Sequence, residues 1–127
     1  MATTEAEQIV TRFVAAWERA DVDELLDYFA DDAVWHPMPM KPAVGKPALR
    51  EAMSVWLRGT APRTAEIHLQ VSDGKTVMHE RTDRYLLGDQ EMANPVGAVF
   101  EIDNGLITAW REYFDRSPYR ARRAVQR

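Results

Sequence analysis

The sequence predicts an α+β fold, with three N-terminal helices packed on a strongly bent, mainly antiparallel sheet. Three observations carry that expectation. Apolar residues recur at helical spacing as far as Trp56, alternating runs take over after Gly59, and Asp73-Gly74 and Asp103-Asn104-Gly105 divide those runs as hairpin turns. Helices gathered before strands exclude the alternating order of a Rossmann fold or a barrel. A bent sheet wrapped around helices makes a cone with an interior.

Each element has its own signal. Thr4-x-x-Glu7 is a capping box, and Ile9, Phe13, Ala16, Trp17 and Ala20 follow on one stripe. Asp21-x-x-Glu24 opens a second helix, with Val22, Leu25, Leu26 and Phe29 as its buried face and Asp31 and Asp32 as its end. Ala33 to His36 reads as a short extended piece. It runs into Pro37-Met38-Pro39-Met40-Lys41-Pro42, where alternate prolines forbid a helix and build a rigid wall or loop. Gly45-Lys46-Pro47 starts a third helix, with Leu49, Met53 and Trp56 along one side. Strands are expected over 66–72, 76–87, 94–102 and 106–115, with Gly97 marking a bulge or bend.

At 127 residues the chain suits one domain, expected over residues 1–115 with an arginine-rich tail over 116–127. The absence of cysteine excludes disulfides, a thiolate nucleophile and a zinc–thiolate site. No apolar run approaches a membrane span, and Met1 to Glu5 lack the character of a signal peptide, so the expected location is the cytoplasm. Five of the sixteen Lys and Arg residues lie from Arg116 onward, leaving eleven against twenty acids in the body, a balance of −9. Such a body is a poor surface for nucleic acid, and the tail is expected to be solvated or lightly docked.

The candidate chemistry lies on strand faces, because side chains alternate. Leu106, Thr108, Trp110, Glu112 and Phe114 share one face of the last strand and are expected to be buried, which sets a carboxylate between large aromatics. A partner is on offer in the 76–87 strand, where Val77, His79, Arg81, Asp83, Tyr85 and Leu87 share a face. Two carboxylates sharing one guanidinium in an apolar cavity are expected to hold one proton between them, leaving one base and one acid. The competing expectation is an ion-pair triad that only ties strands together, or one on an exposed sheet face. The opposite face of Met78, Glu80, Thr82, Arg84 and Leu86 also carries charge, and periodicity alone does not choose between them. The three histidines have no metal-ligand spacing, so no metal is expected. There is no phosphate loop and no nucleophile elbow.

The run Glu80-Arg81-Thr82-Asp83 followed by Trp110-Arg111-Glu112-Tyr113-Phe114-Asp115, with Tyr28-Phe29-Ala30-Asp31-Asp32 and the Met38-Pro39 loop before Gly45, resembles the limonene-1,2-epoxide hydrolase family. That family belongs to the NTF2-like superfamily, which also holds SnoaL-type polyketide cyclases and ketosteroid isomerase. The resemblance implies an NTF2-like cone and a cofactor-free homodimer that adds water to a small lipophilic epoxide. It implies that Asp83 protonates the epoxide oxygen, Arg81 bridges the carboxylates and Glu112 activates water. Three positions depart from the family's pattern. Glu112 replaces an aspartate, which moves the water by roughly an ångström. Trp35 and Pro37 fall where a tyrosine and an asparagine would hold that water. His36 and His79 are the expected replacements. Trp35, His36, Met38, His79, Tyr85, Trp110 and Phe114 are the expected pocket lining. The alternatives are a cyclase- or isomerase-like proton transfer in the same pocket, and a non-catalytic ligand-binding domain.

Overall fold

A computed structural model describes residues 3–115, and the arginine-rich tail lies outside them. Helix α1 (Glu5–Trp17) starts at the expected capping box. The Thr4 hydroxyl accepts from the Glu7 N–H, and the Glu7 carboxylate accepts from the Thr4 N–H. Asp21 caps α2 (Val22–Leu26), accepting from the N–H groups of Asp23 and Glu24. The chain then turns directly into strand β1 (Phe29–Met38) and a two-residue β2 (Ala43–Val44). Asp31 and Asp32 therefore do not end a helix. They sit exposed within β1, where the register against the last strand slips between Phe29 and Val34. Helix α3 (Lys46–Leu57) opens with Pro47 in its first turn and buries Leu49, Met53 and Leu57.

Four antiparallel strands follow: β3 (Arg63–Ser72), β4 (Thr76–Leu87), β5 (Gln90–Asp103) and β6 (Leu106–Phe114). The tight turn between β4 and β5, Gly88-Asp89, goes beyond the two predicted hairpins. Gly88 takes a φ of 63°, which suits the first central position of such a loop. The sheet order is β2-β1-β6-β5-β4-β3, with β1 parallel to β6 and every other pairing antiparallel.

Two expectations about the strands are corrected. Pairing runs through Gly97 without a shift, opposite Glu80 on one side and Tyr113 on the other, so no bulge lies there. The irregularity falls instead between Glu101/Ala109 and Ile102/Ile107, with Thr108 as the extra residue and its hydroxyl donating to the Glu101 carbonyl. This bulge flips the alternation, so Ile107 is buried in place of Leu106 and Thr108, while Trp110 and Glu112 keep their predicted face.

The registers line the concave face into rows. Phe100, Trp110 and Trp35 form the row nearest the packed end, followed by His79, Ala98, Glu112 and Pro37, then Arg81, Val96 and Phe114, then Asp83 and Asn94. The first row is a stack, with Trp110 at 4.7 Å and 8° from Trp35 and at 5.6 Å and 13° from Phe100. Phe13 of α1 seals it, edge-on to Trp110, Phe29 and Phe100 with centroids 4.9, 5.3 and 6.1 Å away. Helix α1 thus stoppers one end of the cone and leaves the far rows facing a cavity. Truncating Phe13→Ala is expected to cost about 3–5 kcal/mol through lost burial and the residual void, read as a lower midpoint in urea denaturation.

Candidate active site

Arg81 comes from β4 and Glu112 from β6, with β5 between them. Their side chains meet because Ala98, paired with both His79 and Glu112, is too small to separate them. The Arg81 guanidinium forks onto Asp83, with Nε donating to Oδ1 at 2.8 Å and Nη2 to Oδ2 at 3.1 Å. Nη2 also donates to Glu112 Oε2. The other carboxylate oxygen of Glu112 accepts from the Trp35 indole N–H at 2.9 Å. Arg81 is 5% exposed and Glu112 6%, so the pair is withdrawn from bulk water.

Burial pushes the Glu112 carboxyl above the ordinary range. Arg81 opposes that rise and the charge of Asp83 adds to it. Burial also works against the charge on Arg81, but Glu112 and Asp83 outweigh it and raise its pKa further. The trio therefore carries a permanent cation, a carboxylate with enhanced basicity and a second acid beside it. These are the parts needed for a general base and a general acid at one site.

The cavity over this floor offers about 70 Å³ to the centre of a water-sized molecule, several times the roughly 10–15 Å³ that one water requires. Arg81, Asp83, Glu112, Trp35, Tyr85 and Phe114 line it, as expected. The other four expected lining residues do not. His36 and Met38 alternate with Trp35 and Pro37 and face the other side of β1. Trp110 lies beneath Trp35 in the stack. His79 sits below the floor, its ring nitrogens 3.0 Å from Arg81 Nη1 and 3.0 Å from Gln70 Oε1. Neither histidine is therefore placed to hold a water for Glu112.

Reading the sequence missed Trp17, Thr60, Arg63 and Asn94 in the wall. Asn94 faces Asp83 directly across β4 and β5, and the Gly88-Asp89 turn fixes that pairing. Arg63 is anchored by the Leu57 carbonyl at 2.7 Å and the Thr60 hydroxyl at 2.8 Å, which reach it only through the chain reversal after α3.

The limonene-1,2-epoxide hydrolase catalytic domain matches residues 4–120. Epoxide hydrolase EphG of Mycobacterium tuberculosis is 33% identical over 106 residues, spanning 84% of this chain and 70% of that protein. The solved structure of an M. tuberculosis LEH-like epoxide hydrolase superposes with a TM-score of 0.78 at 31% identity, covering 89% of this chain and 84% of that one. An NTF2-like protein from Anabaena variabilis, 22% identical with a TM-score of 0.77 over 87% of each chain, shares the fold. With a domain match over nearly all of its length and relatives near one-third identity, this chain of NTF2-like fold belongs to the limonene-1,2-epoxide hydrolase family.

Proposed function

We propose that the protein is a cofactor-independent epoxide hydrolase that opens a small lipophilic epoxide to a vicinal diol. The observation that carries the reading is the buried sharing of Arg81 between Asp83 and Glu112 at the floor of the cavity. With both acids ionised the trio is net −1. One proton neutralises it; burial favours that proton on Glu112, and hydrolysis runs from the form in which Glu112 is ionised and Asp83 carries the proton. Glu112 takes a proton from water as the water oxygen bonds to an epoxide carbon. The carbon–oxygen bond of the epoxide breaks, and its oxygen takes the proton of Asp83. Glu112 then holds the surplus proton, which returns to Asp83 before the next turnover.

Trp35 favours a second reading. Its N–H fills one acceptor site of Glu112 and brings no acceptor for water, which would suit a proton shuttle of the isomerase or cyclase kind. The two chemistries separate on Glu112→Gln and Asp83→Asn. Hydrolysis expects each to lower kcat/KM by about 10²–10⁴-fold, whereas a one-acid shuttle expects one loss to be far the larger. Incubation with terpene, cyclohexene and styrene-type epoxides in ¹⁸O-water is expected to give diols carrying one heavy oxygen. Failure to convert any member of the panel would refute hydrolysis of this class.

The pH profile follows from burial. Glu112 must be ionised to accept a proton, and its pKa is raised. Activity is therefore expected to fall with decreasing pH through a limb lying above the ordinary glutamate range, read from kcat/KM against pH.

We further propose a cytoplasmic homodimer that pairs through the convex face of the sheet. Leu69, Val71, Met78 and Tyr113 are 62%, 55%, 51% and 46% exposed there, an apolar surface of a kind that marks association. Met78→Glu is expected to turn a dimeric elution volume into a monomeric one in size-exclusion chromatography with light scattering.

A further inference from the structure

We propose that His79 is the positioning residue for Arg81, held in a single tautomer by Gln70, so that the guanidinium keeps its other edges for Asp83 and Glu112. Only the kinetic part of its test rests on the hydrolase reading. A guanidinium nitrogen donates and never accepts, so the His79 nitrogen facing it, Nε2, must be bare. The ring hydrogen is then on Nδ1, which donates to Gln70 Oε1. Gln70 continues the chain by donating from Nε2 to Thr11 Oγ1 at 3.2 Å. Donors thus run one way, from Arg81 on β4 through His79 and Gln70 on β3 to Thr11 on α1. Hydrogen bonds aligned in this manner reinforce one another.

The surroundings leave His79 few alternatives. It is 5% exposed and packs against Phe100 with ring centroids 5.3 Å apart, so water is a poor substitute for its partners. Burial first, and then the charge of Arg81, drive its pKa down to about 3. Arg81 is the charge that bears on the ring. β3 presents Gln70, β5 presents Ala98 and α1 presents Thr11, none of them titratable, with Glu112 beyond Ala98 on β6. A protonated ring would have no lone pair for Arg81 and would set a second cation 3.0 Å from it.

Four of the five N–H donors of Arg81 are engaged among the described residues: two by Asp83, one by Glu112 and one by His79. His79 is the uncharged member of that set. It fixes the rotation of the guanidinium without competing for its charge. With Nη1 released, the fork can turn about its stem, and the distance between the base and the acid is no longer set.

Two measurements on the full-length protein test this. In ¹⁵N-histidine NMR, with His79→Gln for assignment, His79 is expected to stay neutral and Nδ1-protonated from about pH 8 down to about pH 5. A hydrogen on Nε2, or an imidazolium in that range, would overturn the proposal. In steady-state kinetics His79→Leu is expected to lower kcat about 10–100-fold with KM changed less than about threefold, and to move the acid limb upward by about half a pH unit. His79→Gln, which restores an acceptor, is expected to recover most of kcat. Where His79→Leu fails to fold, Gln70→Leu carries the same expectations in weaker form. Unchanged kcat and acid limb in a folded acceptor-less variant, or a folded Gln variant no better than Leu, would sink the idea. If the wild type converts no epoxide, the hydrolase reading fails, while the ring's tautomer still decides the role of His79.

Discussion

One guanidinium held between two carboxylates beneath an apolar wall is the constraint that organises the rest of this structure. Removing a partner from a buried ion pair costs about 3–5 kcal/mol, because the charge left behind has no water to turn to. The surrounding elements are arranged so that this does not happen. Ala98 supplies the gap through which Arg81 on β4 reaches Glu112 on β6, and the unbroken pairing through Gly97 keeps that gap in register. The bulge at Thr108 lies below Trp110. The alternation it resets is the one that brings Trp110 and Glu112 inward together.

The aromatic stack beneath the site does more than fill space. Trp35 is pinned against Trp110 at 4.7 Å, which fixes the direction of its indole N–H toward Glu112. That bond favours the ionised carboxylate, as Arg81 does, while burial works against it. Burial prevails, and Glu112 is left more basic than an ordinary glutamate. An indole cannot accept a hydrogen bond, so Trp35 tunes the base without helping to hold water. A water at the floor has to use the remaining lone pairs of Glu112.

Much of this was legible in the sequence because it depends on period and local chemistry. The capping box at Thr4, the Pro47 start of α3 and the shared faces of Arg81 with Asp83 and of Trp110 with Glu112 follow from spacing alone. Features that hinge on register were not legible in the same way. Thr108 looks like any strand residue, and only the pairing of β5 with β6 shows that it is surplus. His36 is expected in the pocket as a replacement for the family's water-holding side chains, but one step along a strand from Trp35 reverses the face. Asp31-Asp32 resembles a helix end, yet the helix stops at Leu26 and the two acids fall in the irregular part of β1, where exposure costs them nothing. Gln70 escaped notice because its role exists only opposite His79, across a hairpin whose strands slip by one residue between Ile67 and Leu69.

The two carboxylates are unequal in a way that orders the proposed reaction. The side chain of Asp83 is 20% exposed and that of Glu112 only 8%, so the acid stands nearer the mouth and the base lies on the floor. On the proposed hydrolysis, this order sets a water on Glu112 beneath a substrate that enters from the mouth, with Asp83 on the substrate's side. An inverted placement, with the base at the mouth, would expose the activated water to exchange and leave the proton donor where solvent could not resupply it. The depth ordering set by β4 and β6 thus puts the base on the floor and the acid nearer the mouth, with Arg81 donating to both.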